Sequence, residues 1–288
     1  VLADIEIICN APAQMTASGY ADLLAKMTAG ADWILADALK AEPIDQNAWN
    51  IVQGGLRDAL CDPVGVSRKD GKAIGQLTEG LMLGGFAMQW SKSSRPASGA
   101  EHQFSHLWDM QDHTHHGYAP SHGFKVGIGT LASAALHEEL LRQPIEALDA
   151  DACVAAWPEW SATEARIREL FTGENFVEKV IQETRAKYVS REELRTQLHL
   201  LKSNWPQLKE ALQGQLLPFA ELKRMLEQAG APTEPEQIGI GRQRLRDSFE
   251  QAYYIRRRFT VLDLAVRTNL LNSFLDRIFG ADGVWPIS

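Results

Sequence analysis

Apolar residues recur every three or four positions along most of the chain, which is the spacing of an amphipathic helix. Early in the chain the series runs through Tyr20, Leu24, Met27 and Ala31. Prolines and glycine-rich turns interrupt the pattern and separate one predicted helix from the next. The pattern predicts helices over residues 15–40, 46–61, 73–92, 101–108, 123–143, 145–156, 161–171, 174–187, 190–201, 203–212, 218–229, 234–258 and 260–279.

The first residues depart from this pattern. Residues 1–8 are rich in β-branched side chains and partly alternate between apolar and polar, which predicts a β-strand. A single strand does not make a stable sheet, so we expect its partners to lie on residues that this sequence lacks. The fold class expected for the rest of the chain is all-α.

Composition excludes several classes of protein. The chain has 288 residues, of which 45% are hydrophobic and 23% charged, as in ordinary globular proteins. A formal net charge of −8 repels phosphate backbones, so no nucleic-acid partner is expected. We also expect no membrane association, because no apolar run reaches the roughly 18 residues of a membrane span and residues 1–8 lack the basic start of a signal peptide.

The three cysteines, Cys9, Cys61 and Cys153, lie far apart and form no CxxC motif. This spacing predicts neither a disulfide framework nor a thiolate zinc site. We therefore expect a cytoplasmic protein.

Six of the eight histidines fall between residues 102 and 122. The i, i+4 spacing places His102 and His106 on one face of a helix, and Pro120-Ser121 predicts a helix start at His122. Neutral imidazole is the commonest metal ligand in proteins, and catalytic metals usually take three protein ligands. The local sequence supplies no carboxylate for a third ligand, and two histidines one turn apart also occur as partly buried, hydrogen-bonded side chains.

Two segments carry a resemblance to a known family. The run SGAEHQFSH at residues 98–106, followed by PSHGFKVGIGT at residues 120–130, resembles the sn-glycerol-1-phosphate dehydrogenases. These are metal-dependent polyol dehydrogenases, related to glycerol dehydrogenase and to the dehydroquinate synthase fold. The segments 11–26 and 255–265 are similar to the family's aspartate-bearing helix and to the C-terminal motif of its bacterial members.

The resemblance implies a set of site residues. Asp22, His102 and His122 correspond to the metal ligands, and Asp22 and His106 to substrate contacts. The metal would be one divalent ion, zinc, nickel or iron, acting as a Lewis acid. The expected reaction interconverts dihydroxyacetone phosphate and sn-glycerol 1-phosphate by hydride transfer to or from NAD(P). No single residue is assigned as the catalytic acid or base.

The resemblance also implies a domain organisation. Full-length members begin with an α/β nucleotide-binding domain, but no GxGxxG turn occurs in this chain. We therefore expect residues 1–12 to be the last strand and linker of that domain, and residues 13–288 to be its helical metal- and substrate-binding partner, without turnover of its own. No cofactor-binding residue is expected here. The resemblance allows a homodimer, which no sequence feature establishes.

Other interpretations remain at this point. The chain could belong to a dehydrogenase of unphosphorylated glycerol or another polyol, or be a helical interaction module with a degenerate metal site. Asp22 and Lys26, at i, i+4, could form an ordinary surface ion pair.

Two further groups of charged or titratable residues have simple predictions. The loop histidines His113, His115 and His116 are predicted to face solvent. The six arginines at positions 242, 244, 246 and 256–258 are predicted to form a solvated face with intramolecular ion pairs rather than a nucleic-acid site.

Overall fold

A computed structural model describes residues 3–287 of the chain, and over these residues the prediction of an all-α fold is confirmed. Between residues 3 and 287 there is no β-strand, only an isolated bridge between His115 and Tyr118. The helices are Ile5–Cys9 (α1), Ala13–Leu24 (α2), Lys26–Ala38 (α3), Gln46–Gln53 (α4), Leu56–Ala59 (α5), Pro63–Ser67 (α6), Gly71–Ser91 (α7), Ala100–Met110 (α8), His122–Leu141 (α9), Ala150–Ala156 (α10), Trp160–Leu170 (α11), Val177–Arg185 (α12), Arg191–Gln215 (α13), Phe219–Ala229 (α14), Arg242–Tyr254 (α15), Val261–Arg267 (α16) and Leu271–Ile278 (α17).

The predicted N-terminal strand is wrong where the structure describes it. Residues 1 and 2 of that prediction lie outside the described part of the chain, but residues 5–9 form helix α1. The carboxylate of Asp4 caps this helix by accepting hydrogen bonds from the backbone N–H groups of Glu6 and Ile7. The side chains of Ile5, Ile8 and Cys9 pack against the core. Their i, i+3, i+4 spacing places them on one face of a helix, so the same residues that alternate imperfectly as a strand also suit a helix.

Several predicted helices have different bounds. The segment predicted as one helix over residues 15–40 is two, α2 and α3, which meet at Ala25. Conversely, the helices predicted on either side of residue 202 form the single helix α13, which includes Pro206. The buried side chains of Trp205 and Leu208 flank this proline, so packing holds the helix together where local propensity predicts a break.

Three helices approach one another closely at glycines of α9. A Cβ atom at Gly123 would lie 1.9 Å from the carbonyl oxygen of Ser18 on α2, and one at Gly129 would lie 2.3 Å from the carbonyl oxygen of Glu101 on α8. Glycines at these positions permit α9 to pack closely against both helices. The backbones of α2, α8 and α9 are thereby drawn to within contact of each other.

A buried aspartate fixes two helix starts relative to α3. The side chain of Asp32 accepts a hydrogen bond from the backbone N–H of Ala100, at the start of α8, and another from that of Val261, at the start of α16, both at 2.7 Å. A carboxylate at a helix N-terminus satisfies N–H groups that have no partner within the helix. Asp32 therefore sets the position of the helix that carries His102 and His106.

Among residues 3–287, no helix combines the length and the apolar character that crossing a bilayer requires.

Candidate metal centre

The side chains of Asp22, His102 and His122 converge from three different helices. Asp22 lies near the end of α2, His102 in the first turn of α8, and His122 is the first residue of α9. One potential ligand atom from each residue lies within 4.8 Å of those of the other two. The close approach of the helix backbones at the α9 glycines is what allows these short side chains to meet.

The distances identify the atoms that face one another. Oδ1 of Asp22 lies 3.3 Å from Nε2 of His102 and 3.8 Å from Nε2 of His122. His102 is buried, whereas the side chain of His122 is 48% exposed. The cluster is therefore closed on the protein side and open to solvent at His122.

The second oxygen of Asp22 is held by Lys26. Nζ of Lys26 lies 3.0 Å from Oδ2 of Asp22 and also donates to the Asp22 carbonyl. Burial alone raises the pKa of Asp22, but the charge of Lys26 and the hydrogen bond from His102 outweigh it and hold the pKa well below its usual value. Because Lys26 is only 3% exposed, the ordinary surface ion pair considered from the sequence is not what the structure contains.

Glu101, which the sequence does not single out, orients His102. Its Oε1 lies 2.9 Å from Nδ1 of His102, and it accepts a further hydrogen bond from the backbone N–H of Gly99. The hydrogen bonds to Asp22 and Glu101 raise the pKa of His102 against the effect of burial, so without a metal both ring nitrogens donate. When a metal replaces the proton on Nε2, a carboxylate bonded to Nδ1 keeps the other proton in place, an arrangement common around metal-binding histidines. No spacing rule predicts this pair, because neighbouring side chains on a helix do not face each other. The only available signal is an acid in the first turn of α8.

The second ring nitrogen of His122, Nδ1, has a longer polar contact than Nδ1 of His102 has. Oγ of Ser105 lies 3.3 Å from Nδ1 of His122. Burial lowers the pKa of His122, and the nearby charge of His102 lowers it further, although Asp22 acts in the opposite direction. A neutral imidazole is the form that binds metals.

His106 stands beside this cluster but outside the set of three. Its ring centroid lies 6.2 Å from that of His102 and 6.0 Å from that of His122. Burial and the charge of Arg256 lower the pKa of His106 to about 4. The structure thus places a neutral imidazole next to the three converging side chains.

Comparison with known proteins gives the same family as the sequence motifs. The chain is 34% identical over 146 residues to the glycerol-1-phosphate dehydrogenase [NAD(P)+] of Halalkalibacterium halodurans, over 51% of this chain and 37% of that protein. It is 27% identical over 264 residues to the enzyme of the same name from Geobacillus thermodenitrificans, over 91% of this chain and 55% of that protein. The resemblance to glycerol-1-phosphate dehydrogenases is thereby confirmed.

The similarity covers only part of the length of each relative. The chain is 36% identical over 137 residues to the glycerol-1-phosphate dehydrogenase [NAD(P)+] of Pyrococcus horikoshii, over 48% of this chain and 38% of that protein. In all, the chain spans about half or less of the length of the curated relatives it matches. No protein-family model matches it.

The loop histidines do not all behave as predicted. His113 is buried, which makes the prediction of a solvent-facing side chain wrong for this residue. Its Nε2 lies 2.7 Å from the carbonyl oxygen of Ile238 and its Nδ1 lies 2.9 Å from Nη1 of Arg244, so both ring nitrogens are bonded within the protein. His116 is exposed as predicted and His115 is half-buried. These histidines lie outside the converging set.

The arginine prediction is confirmed for three of the six residues. Arg242 pairs with Glu236, Arg246 with Asp276, and Arg257 with Glu183. The other three, Arg244, Arg256 and Arg258, are half-buried and have no carboxylate within 4 Å among residues 3–287.

Proposed function

We propose that this chain is the metal- and substrate-binding domain of an NAD(P)-dependent sn-glycerol-1-phosphate dehydrogenase. The whole protein would interconvert dihydroxyacetone phosphate and sn-glycerol 1-phosphate by hydride transfer. The observation that carries the proposal is the convergence of Asp22, His102 and His122 within 4.8 Å, in a chain similar to enzymes of that name.

The side chains present fit a divalent metal. One carboxylate and two imidazoles from separate helices form a three-ligand set of the kind that catalytic zinc, nickel and iron sites use. A metal bound there supplies Lewis acidity toward a substrate carbonyl or hydroxyl oxygen. The buried hydrogen bond between Glu101 and His102 supports the fit, because it holds the imidazole with Nε2 directed at Asp22.

The remaining residues would position the reacting groups. Lys26 retains one oxygen of Asp22 and leaves Oδ1 to face the imidazoles. His106, neutral and half-buried, would either orient a substrate hydroxyl or pass a proton to or from it. Hydride transfer requires a nicotinamide nucleotide, which we assign to a part of the whole protein other than these 288 residues.

Metal analysis tests the first half of the proposal. We expect the purified 288-residue chain, loaded with zinc, nickel or iron and dialysed, to retain one metal ion per chain. Asp22→Ala and His102→Ala should each abolish retention, because two ligands do not hold the ion against dialysis. His199→Ala is the matched control, since His199 is exposed on α13. Equal metal content in all four proteins, or none in any, would favour the interaction-module alternative.

Turnover tests the second half. The protein joined to its nucleotide-binding domain should reduce dihydroxyacetone phosphate with NADH or NADPH, and the 288-residue chain alone should not. Comparing dihydroxyacetone phosphate with unphosphorylated dihydroxyacetone separates this proposal from a polyol dehydrogenase. Preference for the unphosphorylated substrate would overturn the assignment.

A further inference from the structure

A cavity of about 780 Å³ lies between the segment 255–259, which follows α15, and helix α12. Its size falls within the range of small-molecule binding sites. The wall is unusually cationic for a protein with a net charge of −8. The cationic side chains that line it are Lys179, Lys187, Arg256, Arg257, Arg258 and Arg267.

Two of these six cations are neutralised by carboxylates. Arg257 binds Glu183 through two nitrogens, with Nη2 at 2.7 Å and Nε at 3.0 Å. Lys187 lies 2.9 Å from Oδ1 of the buried Asp263. Each of these two ion pairs is neutral overall, so neither attracts an anionic ligand.

The other two carboxylates of the wall are engaged elsewhere. Oε2 of Glu42 lies 3.4 Å from Nε of Arg95, which is itself buried outside the cavity wall. Glu193 accepts hydrogen bonds from the backbone and hydroxyl of Ser190 in the capping box of α13. Among residues 3–287, the remaining four cations of the wall have no carboxylate within 4 Å.

Of these four, Lys179 is exposed and Arg267 is buried, whereas Arg256 and Arg258 are half-buried. Among residues 3–287, Arg256 has neither a side-chain hydrogen bond nor a carboxylate within 4 Å, although it is half-buried. Within the described part of the chain, Arg258 donates only to neutral acceptors, the carbonyl of Ser98 at 2.7 Å and the hydroxyl of Ser94 at 2.8 Å. Burial lowers the pKa of both guanidinium groups. The charge of Arg95 adds to this effect on Arg258, whose pKa falls to about 10.

Arg267 adds an unpartnered buried donor. It is 4% exposed, and its Nη1 and Nη2 donate to Gln197 and to the carbonyl of Lys187. Its Nε is buried and finds no acceptor among the described residues. An unpaired buried donor is costly, so the guanidinium of Arg267 keeps an unmet demand for an acceptor beside the cavity.

We propose that this cavity binds a small molecule carrying a phosphate group, with Arg256 and Arg258 as its principal contacts. A phosphate dianion brings two negative charges and several acceptor oxygens, and planar guanidinium groups match that geometry. A single carboxylate would leave most of the positive charge uncompensated.

The phosphate group has two possible sources, and both use the same chemistry. Arg258 is bonded to Ser98, immediately before the helix that carries His102 and His106, so the cavity wall adjoins the metal centre along the chain. The phosphate could therefore belong to the substrate of the proposed function. Alternatively it belongs to a separate phosphorylated molecule. Binding in the cavity does not itself require the proposed function.

Calorimetric titration of the 288-residue chain with inorganic phosphate, at constant ionic strength, tests the cavity. Arg256→Gln should weaken binding by about tenfold or more, as expected for loss of a charge-assisted hydrogen bond. This variant breaks no hydrogen bond within the described residues, so it should fold, whereas Arg258→Gln also removes contacts to Ser94 and Ser98. Arg195→Gln is the matched control, because it removes the same charge from a surface arginine that pairs with Asp151 and does not line the cavity. Absence of phosphate binding, or equal affinity in Arg256→Gln and the wild type, would overturn the proposal.

A second titration, with sn-glycerol 1-phosphate on zinc-loaded protein, identifies the source. If the substrate supplies the phosphate, this ligand should bind more tightly than inorganic phosphate, and His102→Gln should remove the advantage. If the source is separate, the two ligands should bind alike in both proteins. In either case Arg256→Gln must weaken the binding of both ligands, or the inference fails. Failure of the proposed function is distinguishable, because it appears as absent zinc retention while phosphate binding persists.

Discussion

The carboxylate of Glu101 lies 2.9 Å from Nδ1 of His102, and both side chains are buried. The same carboxylate accepts hydrogen bonds from the backbone N–H of Gly99 and from the hydroxyl of Thr28. Burial raises the pKa of Glu101, but the hydrogen bond from His102 and the backbone donor outweigh this and lower it. Glu101 is therefore a buried anion whose position is fixed from three sides, and it controls the orientation of the imidazole beside it.

Replacing Glu101 with glutamine should weaken metal binding without unfolding the chain. A glutamine oxygen can still accept from Gly99 and His102, while its amide can donate to the Thr28 hydroxyl, so the packing is retained and the charge is lost. We expect zinc affinity to fall by about 10- to 100-fold, the usual effect of losing such a partner. Competition with a chelator of known affinity measures it.

Glu139→Gln is the control, because Glu139 is also a buried acid but pairs with Arg142 and Arg277. Equal zinc affinity in the Glu101→Gln variant and the wild type would show that Glu101 only fills space.

Gly129→Ala should destabilise the protein by separating α8 from α9. The added methyl group would lie 2.3 Å from the backbone oxygen of Glu101, which cannot move away as a flexible side chain could. Overpacking of this kind costs about 1–3 kcal/mol or more. Urea unfolding followed by circular dichroism measures the loss, and zinc affinity should fall as well because His102 and His122 move apart.

Gly75→Ala is the matched control within a helix. A Cβ atom at Gly75, on α7, meets nothing within 4 Å. Because alanine favours helix more than glycine does, this variant should be more stable by about 0.5–1 kcal/mol. If both variants shifted stability in the same direction, the proposed close approach at Gly129 would not be the cause.

His106→Gln should separate substrate binding from metal binding. The ring of His106 stands about one helical turn from His102 and is not one of the three converging residues. We expect zinc retention to be unchanged and affinity for sn-glycerol 1-phosphate in the zinc-loaded chain to fall. His116→Gln, in an exposed loop position, should change neither. Loss of zinc from His106→Gln would instead identify His106 as a metal ligand.

Asp32 should make stability depend on pH. Burial, followed by the charge of Glu101, raises the pKa of Asp32 from 3.8 to about 8, despite the hydrogen bonds from Ala100 and Val261. A group whose pKa is higher in the folded state contributes stability that is full below its unfolded pKa and is lost as pH rises through the folded value. The free energy of unfolding of the wild type, minus that of Asp32→Asn, should therefore fall between pH 4 and pH 8 and level off above.

Urea unfolding of both proteins across that pH range measures this difference. Comparing the two proteins cancels the contributions of carboxylates that do not interact with Asp32. A difference that stays constant with pH, or that grows as pH rises, would contradict a raised pKa for Asp32.

Local patterns were sufficient for the fold class and for part of the site. Helical spacing identified most helices, and the i, i+4 spacing placed His102 and His106 on one face. The N-cap signal at Ser121 placed the start of α9 at His122, and Ser121 does cap that helix. Asp22 came from resemblance to a family, because no spacing rule links it to residues 80 or more positions away.

Local patterns failed where packing competes with propensity. The strand was predicted over residues 1–8 because β-branched residues favour that conformation, yet the cap at Asp4 and contact with the core make residues 5–9 helical. His113 was predicted to face solvent, but the approach of Ile238 and Arg244 from a distant part of the chain buries it.

The sequence by itself determined the helical architecture and the identity of the metal-binding candidates, because both depend on short-range spacing and on motifs. Only the tertiary structure decided that Asp22 meets the two histidines, that Glu101 orients one of them, and that Arg256 lies beside a cavity with no partner among residues 3–287. These relationships arise from the close packing of helices far apart in the chain, and the energies that determine them come from burial and charge pairing across those contacts.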